Sequence, residues 1–190
     1  MQNTCLLLID IQNEYFPGGK SELANPLEAS LKARQLLDYF RQRQLSLVHI
    51  QHISTRPGAA TFLEGTPGAE IHTNVLPAGK EIVIQKHYPN SFRDTDLQAC
   101  LGLLDIQRLV IAGMMTHMCV DATARAAFDL GYACIVASDA CATKELAFEG
   151  NKVPADNVQG AFLAALAAMY ARVVRVAELV KQPELFDLPT

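Results

Sequence analysis

Apolar positions in this chain fall into short runs that alternate with stretches of helical spacing. The first run, Cys5-Leu6-Leu7-Leu8-Ile9, is continuous, which is typical of a strand buried on both faces of a sheet. Residues 26–42 then place leucines at helical spacing, and Pro26 suits the first turn of a helix. This succession predicts strands joined by helical crossovers, and therefore a parallel sheet.

The same alternation continues to the end of the chain and predicts one domain over residues 1–190. We expect a Rossmann-like α/β fold of three layers, α-β-α, around a six-stranded and mainly parallel sheet. The predicted strands are 4–9, 45–51, 81–85, 108–112, 133–137 and 172–176. The later helices are predicted at 95–102, at 119–130 with Gly131 as its C′ residue, and at 158–170. Residues 53–78 are rich in Pro and Gly and lack periodicity, so they form a long loop of the kind that usually carries function.

Composition narrows the classes of function. The chain has 190 residues, of which 50% are hydrophobic, enough for one two-sided core. A net charge of −4, with the Lys and Arg residues scattered, argues against a nucleic acid partner. No apolar run is long enough for a membrane span, and the polar start followed by a short apolar run does not resemble a signal segment. The 5 cysteines lack Cys-x-x-Cys spacing. We therefore expect a cytoplasmic protein with reduced thiols and no zinc site.

Three reactive residue types lie where predicted strands end. Asp10 directly follows the first strand, Lys86 follows the third, and Cys119 opens the helix after the fourth. Ligands of open parallel sheets bind beyond the carboxyl ends of the strands. If these strands are neighbours, a carboxylate, an ammonium group and a thiol converge on one pocket.

The position of Cys119 favours a nucleophile. If Thr116 is the N-cap, Cys119 is N3, and the positive end of the helix dipole favours its thiolate. If Cys119 is considered alone, the commoner interpretation is that it is a small, buried, apolar residue. With Asp10 to accept the thiol proton and Lys86 to stabilise the sulfur anion, nucleophilic attack on a carbonyl becomes the better one. Backbone N–H groups of residues 113–119 would stabilise the oxyanion.

Several segments together identify the chain as similar to a known family. They are Leu8-Ile9-Asp10-Ile11-Gln12-Asn13, Lys86-His87-Tyr88-Pro89-Asn90-Ser91-Phe92 and Gly113-Met114-Met115-Thr116-His117-Met118-Cys119-Val120. The chain resembles, over nearly its whole length, the isochorismatase-like cysteine hydrolases, which include nicotinamidase, N-carbamoylsarcosine amidase and streptothricin hydrolase. The resemblance implies the isochorismatase fold.

The resemblance also implies roles for individual residues. Asp10, Lys86 and Cys119 would form the catalytic triad, and the backbone N–H groups of Met115 and Cys119 the oxyanion hole. The peptide bond between Met114 and Met115 would be cis. A small-molecule substrate, no cofactor and a homo-oligomer, either dimer or tetramer, are implied as well.

Two differences between this sequence and those of similar enzymes narrow the range of reactions that we predict for it. Nicotinamidases carry an Asp-x-His…His metal motif after the second strand, whereas the corresponding stretch here, His49-Ile50-Gln51-His52-Ile53-Ser54-Thr55-Arg56, contains no carboxylate. We predict no metal, with His49 in strand packing or a hydrogen bond. Isochorismatases cleave a vinyl ether without the cysteine. Cys119 therefore favours hydrolysis of a C–N bond in a small amide, lactam or ureido compound through a thioester, with vinyl-ether hydrolysis as the alternative.

The substrate pocket is less determined by the sequence. Phe16, His52 and Tyr88 are its predicted lining residues, and Phe62 is a further aromatic candidate, although aromatic residues belong to the core by default. A ligand-binding or redox-sensing protein without turnover is a second class of function. A dinucleotide-binding domain is disfavoured because no Gly-x-Gly-x-x-Gly follows the first strand.

Overall fold

A six-stranded parallel sheet forms the centre of the computed structural model, which describes residues 3–186. The strands are β1 (Thr4–Ile9), β2 (Ser46–His52), β3 (Ile82–Lys86), β4 (Arg108–Met114), β5 (Ala133–Ala142), β6 (Leu146–Phe148), β7 (Asn151–Val153) and β8 (Arg172–Val174). Their order in the sheet is β3-β2-β1-β4-β5-β8, while β6 and β7 form a separate antiparallel hairpin. β1 is thus central and hydrogen-bonded to β2 and β4.

Helices cover both faces of the sheet. They are α1 (Pro26–Gln42), α2 (Leu97–Leu103), α3 (Asp121–Asp129), α4 (Ala155–Met169) and α5 (Val176–Lys181). Leu6 and Leu8 of β1 pack with α1 and α5 on one face, and Leu7 and Ile9 pack with α2 and α3 on the other. Side chains of a strand alternate between faces, so one continuous apolar run supplies both cores. The predicted three-layer α/β fold is confirmed.

The structure corrects several predicted boundaries. β5 extends to Ala142, five residues beyond the predicted end. The last predicted strand is too long, because Val176 begins α5. The β6–β7 hairpin was missed; its strands are short and largely exposed, so they carry no pattern of core-facing positions. The predicted C′ residue Gly131 has φ +89° and ends α3 as expected. Across residues 3–186, none of the helices has the length and hydropathy of a membrane-spanning segment.

An ion-pair network ties α1, β2 and β3 together at the amino ends of the strands. Arg41 Nε lies 2.7 Å from Glu81 Oε1, and His49 Nε2 lies 2.9 Å from Glu81 Oε2. His49 is 1% exposed, so it has the strand-packing and hydrogen-bonding position predicted for it. The hydrogen bond from Arg41, with further bonds from Ala78 and His49, lowers the pKa of Glu81 to about 2.

This network should make stability depend on pH in the acid range. The folded pKa of Glu81 lies below its ordinary value of 4.5, so its stabilisation is present above that value and is lost as pH falls towards about 2. We expect Glu81→Gln to lower the free energy of unfolding by about 2 kcal/mol at pH 7 and by roughly half as much near pH 3. Urea denaturation at both pH values measures this. Glu145→Gln, which removes an exposed ion pair with Lys152, is the matched control and should change stability by less than about 0.5 kcal/mol.

Candidate active site

Asp10 and Lys86 form a buried ion pair at the carboxyl ends of the strands. Asp10 follows β1, and Lys86 is the last residue of β3, with β2 between the two strands. Lys86 Nζ lies 2.7 Å from Asp10 Oδ2, and both side chains are 0% exposed. The expectation that the three strands are neighbours therefore holds for β1 and β4 but not for β3. Lys86 reaches Asp10 because its long side chain spans the width of β2.

Backbone groups hold this pair in place. Asp10 has φ +50°, and its N–H donates to the Ile50 carbonyl at 3.0 Å. Lys86 Nζ also donates to the carbonyls of Tyr88 (2.9 Å) and Pro89 (3.2 Å). The ammonium group of Lys86 and the thiol of Cys119 both interact with the Asp10 carboxylate. A buried carboxylate with free lone pairs is available to accept a proton.

Cys119 lies on a single turn of π-helix rather than in the first turn of an α-helix. This turn spans Thr116–Val120 and leads directly into α3. The carbonyl of Met115 accepts hydrogen bonds from the N–H groups of Met118 and Val120, on either side of Cys119. Thr116 is not the N-cap that the sequence predicts, because its hydroxyl donates to the Ala142 carbonyl at 3.2 Å. The peptide bond joining Met114 to Met115 is cis, the geometry that the family resemblance implies there.

The thiol of Cys119 interacts with both members of the ion pair. Burial and the charge of Asp10 raise the pKa of Cys119 well above its ordinary value, and Lys86 opposes this shift only in part. The predicted stabilisation of a resting thiolate by the helix dipole is therefore outweighed by burial. For Lys86, burial lowers the pKa, but Asp10 and Cys119 raise it by more, so the group stays charged. At neutral pH the site therefore holds a neutral thiol beside a charged ammonium group.

A cavity of about 440 Å³ opens above Cys119. The side chain of Cys119 is only 6% exposed, so the cavity gives a small molecule its access to the sulfur. One group of lining residues is apolar and the other polar. The apolar lining residues are Tyr15, Pro57, Gly58, Ala59, Phe62, Pro89, Met115 and Met118. The polar lining residues are Ser21, His52, Ser54, Arg56 and Thr61.

Of the three predicted pocket residues, the structure places only His52 at this cavity. Its ring packs edge-on against Phe62, with centroids 5.4 Å apart. Burial lowers the pKa of His52, and nearby Lys86 acts in the same direction, so the imidazole is neutral near pH 7. Within residues 3–186 its Nδ1 atom is buried without a hydrogen-bond partner.

Phe16 and Tyr88, the other two predicted pocket residues, do not line this cavity. Phe16 is buried and stacks on His72, with ring centroids 3.6 Å apart. The ring of Tyr88 lies under the guanidinium group of Arg93 at 3.7 Å, and its backbone carbonyl is the part that contacts Lys86. Tyr15 takes the expected place of Phe16, because the 3-10 turn at Asn13–Tyr15 directs these consecutive side chains differently.

Two buried polar side chains fix the long loop that the sequence left without structure. Gln12 donates to the carbonyls of His52 (2.8 Å) and Ala69 (2.7 Å) and accepts from the His52 N–H. Glu14 accepts from the N–H groups of Lys20 and Phe62. Both residues follow Asp10 within a few positions, but no periodicity of the sequence shows which loop atoms they contact. No group of three or more His, Cys, Asp or Glu side chains in the described part of the chain is arranged to hold a metal ion.

Comparisons with known proteins agree with this architecture. The family model described as the isochorismatase domain matches residues 4–178. The chain is 48% identical over 178 residues to YddQ of Bacillus subtilis, an uncharacterized isochorismatase family protein, covering 94% of this chain and 99% of that protein. It is 35% identical to streptothricin hydrolase of Streptomyces noursei, over 74% of this chain and 50% of that enzyme. A crystal structure from Oleispira antarctica, provisionally assigned as an isochorismatase hydrolase, superposes with a TM-score of 0.91 at 49% identity, over 95% of this chain and 97% of the other.

Proposed function

Because the chain belongs to the isochorismatase family of hydrolases, we propose that it is a cysteine hydrolase that cleaves the C–N bond of a small amide, lactam or ureido compound. The observation that carries this proposal is the buried Asp10–Lys86 pair, 2.7 Å apart, beside the sulfur of Cys119 at the base of a cavity. A nucleophile, a base and a cation are thereby brought to one point that a small molecule can reach.

In the proposed first step, Asp10 accepts the proton of the Cys119 thiol as the sulfur attacks the carbonyl carbon of the substrate. The raised pKa of the resting thiol makes this base necessary, because little thiolate is present before the substrate binds. Lys86, which contacts Asp10, stabilises the negative charge that develops on sulfur during the transfer. The carbonyl π electrons move to oxygen and form a tetrahedral intermediate.

Stabilisation of the oxyanion is assigned to the backbone N–H groups of Met115 and Cys119. Both residues line the cavity. As the intermediate collapses, its C–N bond breaks and Asp10 returns the proton to the departing nitrogen. Water then attacks the thioester while Asp10 takes a proton from it. The C–S bond breaks, Asp10 returns the proton to the sulfur, and the acid product leaves.

The family resemblance to isochorismatases leaves vinyl-ether cleavage as the alternative to be separated by experiment. The proposal predicts ammonia or amine release from at least one member of a panel of primary amides, ureido compounds and lactams, and no consumption of isochorismate. Cleavage of isochorismate without release of nitrogen from the panel would contradict it. The small-molecule substrate, the cytoplasmic location and the homo-oligomer stay predictions.

Brief alkylation gives a test that needs no known substrate. We expect iodoacetamide to modify Cys119 before the other cysteines, since Asp10 can take its proton and the cavity admits the reagent. Cys100, which is partly exposed and has no acidic or basic partner shifting its pKa, is the internal control. Peptide mass spectrometry after short exposures measures the order. Equal or faster labelling of Cys100, or labelling of Cys119 that persists unchanged in Asp10→Asn, would contradict the assignment of the base.

A further inference from the structure

One wall of the cavity above Cys119 is a single loop. Residues 54–62 contribute half of the residues that line the cavity, and Met115 and Met118 are among the others. The loop members in contact with the cavity are Ser54, Arg56, Pro57, Gly58, Ala59, Thr61 and Phe62. The composition of this loop therefore decides which molecules fit beside the sulfur.

Hydrogen bonds make this 54–62 loop an ordered element. The Ser54 N–H donates to the Phe62 carbonyl at 2.8 Å and closes the base of the loop. At its tip the Ala59 N–H donates to the Arg56 carbonyl at 3.1 Å, with Pro57 and Gly58, whose φ is +76°, at the central positions. Proline followed by a residue with positive φ is the pattern of a type II turn. The backbone of Arg56 thus has a defined position at the mouth of the cavity.

Arg56 supplies the only formal charge among the residues that line the cavity in the described structure. The polar members besides it are neutral His52 and the hydroxyl residues Ser21, Ser54 and Thr61, and no Asp or Glu lines the space. The side chain of Arg56 is exposed, and among residues 3–186 it has neither an ion pair nor a hydrogen bond. The nearby carboxylate of Asp10 is already paired with Lys86. A protein of net charge −4 therefore presents an unpaired cation beside its candidate nucleophile.

We propose that Arg56 binds an anionic group of the substrate, so that this protein acts on small amides or ureido compounds that also carry a carboxylate. A guanidinium group donates two parallel hydrogen bonds to a carboxylate, and the hydroxyl groups of the same loop can complete its coordination. The carboxylate then lies at the mouth and the scissile carbonyl at the sulfur. The inference rests on the proposed function of Cys119 and adds the class of its substrate.

Two alkylating reagents of similar size, one anionic and one neutral, test the inference directly. Iodoacetate carries a carboxylate, whereas iodoacetamide carries a neutral amide. The rate of each reagent with Cys119 is first divided by the rate of the same reagent with 2-mercaptoethanol. We expect this normalised rate to be about tenfold higher for iodoacetate than for iodoacetamide. Arg56→Gln should bring the ratio close to one by slowing iodoacetate alone. Because Arg56 is exposed, salt raised from about 0.01 M to about 1 M should weaken the preference.

Control variants separate this role from a general effect of charge or folding. Lys80→Met removes another exposed positive charge, before β3 at the other end of the sheet, and should leave the ratio unchanged. Arg56→Lys should retain part of the preference. In turnover, kcat/KM for succinamate should be at least tenfold higher than kcat/KM for butyramide. Arg56→Gln should remove this difference by lowering kcat/KM for succinamate only.

The outcomes distinguish the inference from the function on which it rests. A rate ratio or a turnover ratio that is the same in Arg56→Gln as in the native protein overturns the role of Arg56 and leaves the cysteine hydrolase intact. Failure of both reagents to modify Cys119 ahead of Cys100 overturns the nucleophile itself, and the inference falls with it.

Discussion

Replacing Cys119 by Ala will abolish hydrolysis of any amide or ureido substrate that the protein turns over, while the fold survives. The sulfur is the atom that forms the proposed thioester, and Cys119 is the only thiol among the described residues that line the cavity. We expect turnover to fall by roughly 10⁴-fold or more, the size of effect seen when a catalytic nucleophile is removed. Asp10→Asn should cause a loss of similar size, because the thiol then keeps its proton. Ammonia release under single-turnover conditions measures both.

The control for this prediction is Cys100→Ala, which removes a partly exposed thiol on α2, on the same face of the sheet as Cys119 but outside the lining of the cavity. It should retain full activity, and urea denaturation should show that both cysteine variants unfold cooperatively. Amide hydrolysis that survives in Cys119→Ala would refute covalent catalysis. Cleavage of isochorismate that survives in the same variant would instead support the vinyl-ether reaction, which needs the acid and base but not the sulfur.

The sequence predicted the fold and the grouping of three reactive residues because both depend on a repeated physical rule. Continuous apolar runs specify buried parallel strands, and charged groups directly after such runs must lie at one edge of the sheet. Asp10 and Lys86 were found in this way. Their contact across β2 was not predictable from spacing, because it depends on the length of a lysine side chain and on the strand order.

The pocket was mostly beyond prediction because it is built from a loop without periodicity. Phe16 and Tyr15 are adjacent in the sequence, and only the turn that contains Tyr15 decides which ring reaches the cavity. Arg56 gave no signal by itself, since an exposed arginine in a loop is ordinary. Its position follows from the bonds of Gln12 and Glu14 to the loop backbone, which are contacts between residues some forty to sixty positions apart.

The pKa of Cys119 depends on two opposing effects, the helix terminus and burial, and the larger of them decides its direction. A helix terminus stabilises a negative charge by about 0.3–1 kcal/mol at the surface, whereas full burial can raise the pKa of an acid by several units. The sequence revealed a helix start but not the depth of burial, so it overestimated the thiolate. Because burial raises the pKa of the thiol, the proposed attack needs a base, and this is the role that we propose for Asp10.

Lys86→Met will cause the largest loss of stability of the variants considered. The methionine fits the volume of the lysine stem, but Asp10 is then left as a buried carboxylate without its cation. Breaking a buried ion pair on one side typically costs about 3–5 kcal/mol in the free energy of unfolding. We expect a loss of this size at pH 8 by urea denaturation. Lys80→Met, at an exposed position, should change stability by less than about 0.5 kcal/mol.

The double variant Asp10→Asn, Lys86→Met separates the charge from the packing. With both charges removed, no uncompensated ion stays buried, so we expect this variant to be more stable than Lys86→Met by about 2 kcal/mol although it has two changes. Turnover should stay absent in both. The deficit of Lys86→Met should also shrink between pH 8 and pH 4.5, since a lone buried carboxylate takes up a proton. A double variant no more stable than the single one would mean that Lys86 stabilises the fold through its hydrogen bonds to the Tyr88 and Pro89 carbonyls rather than through its charge.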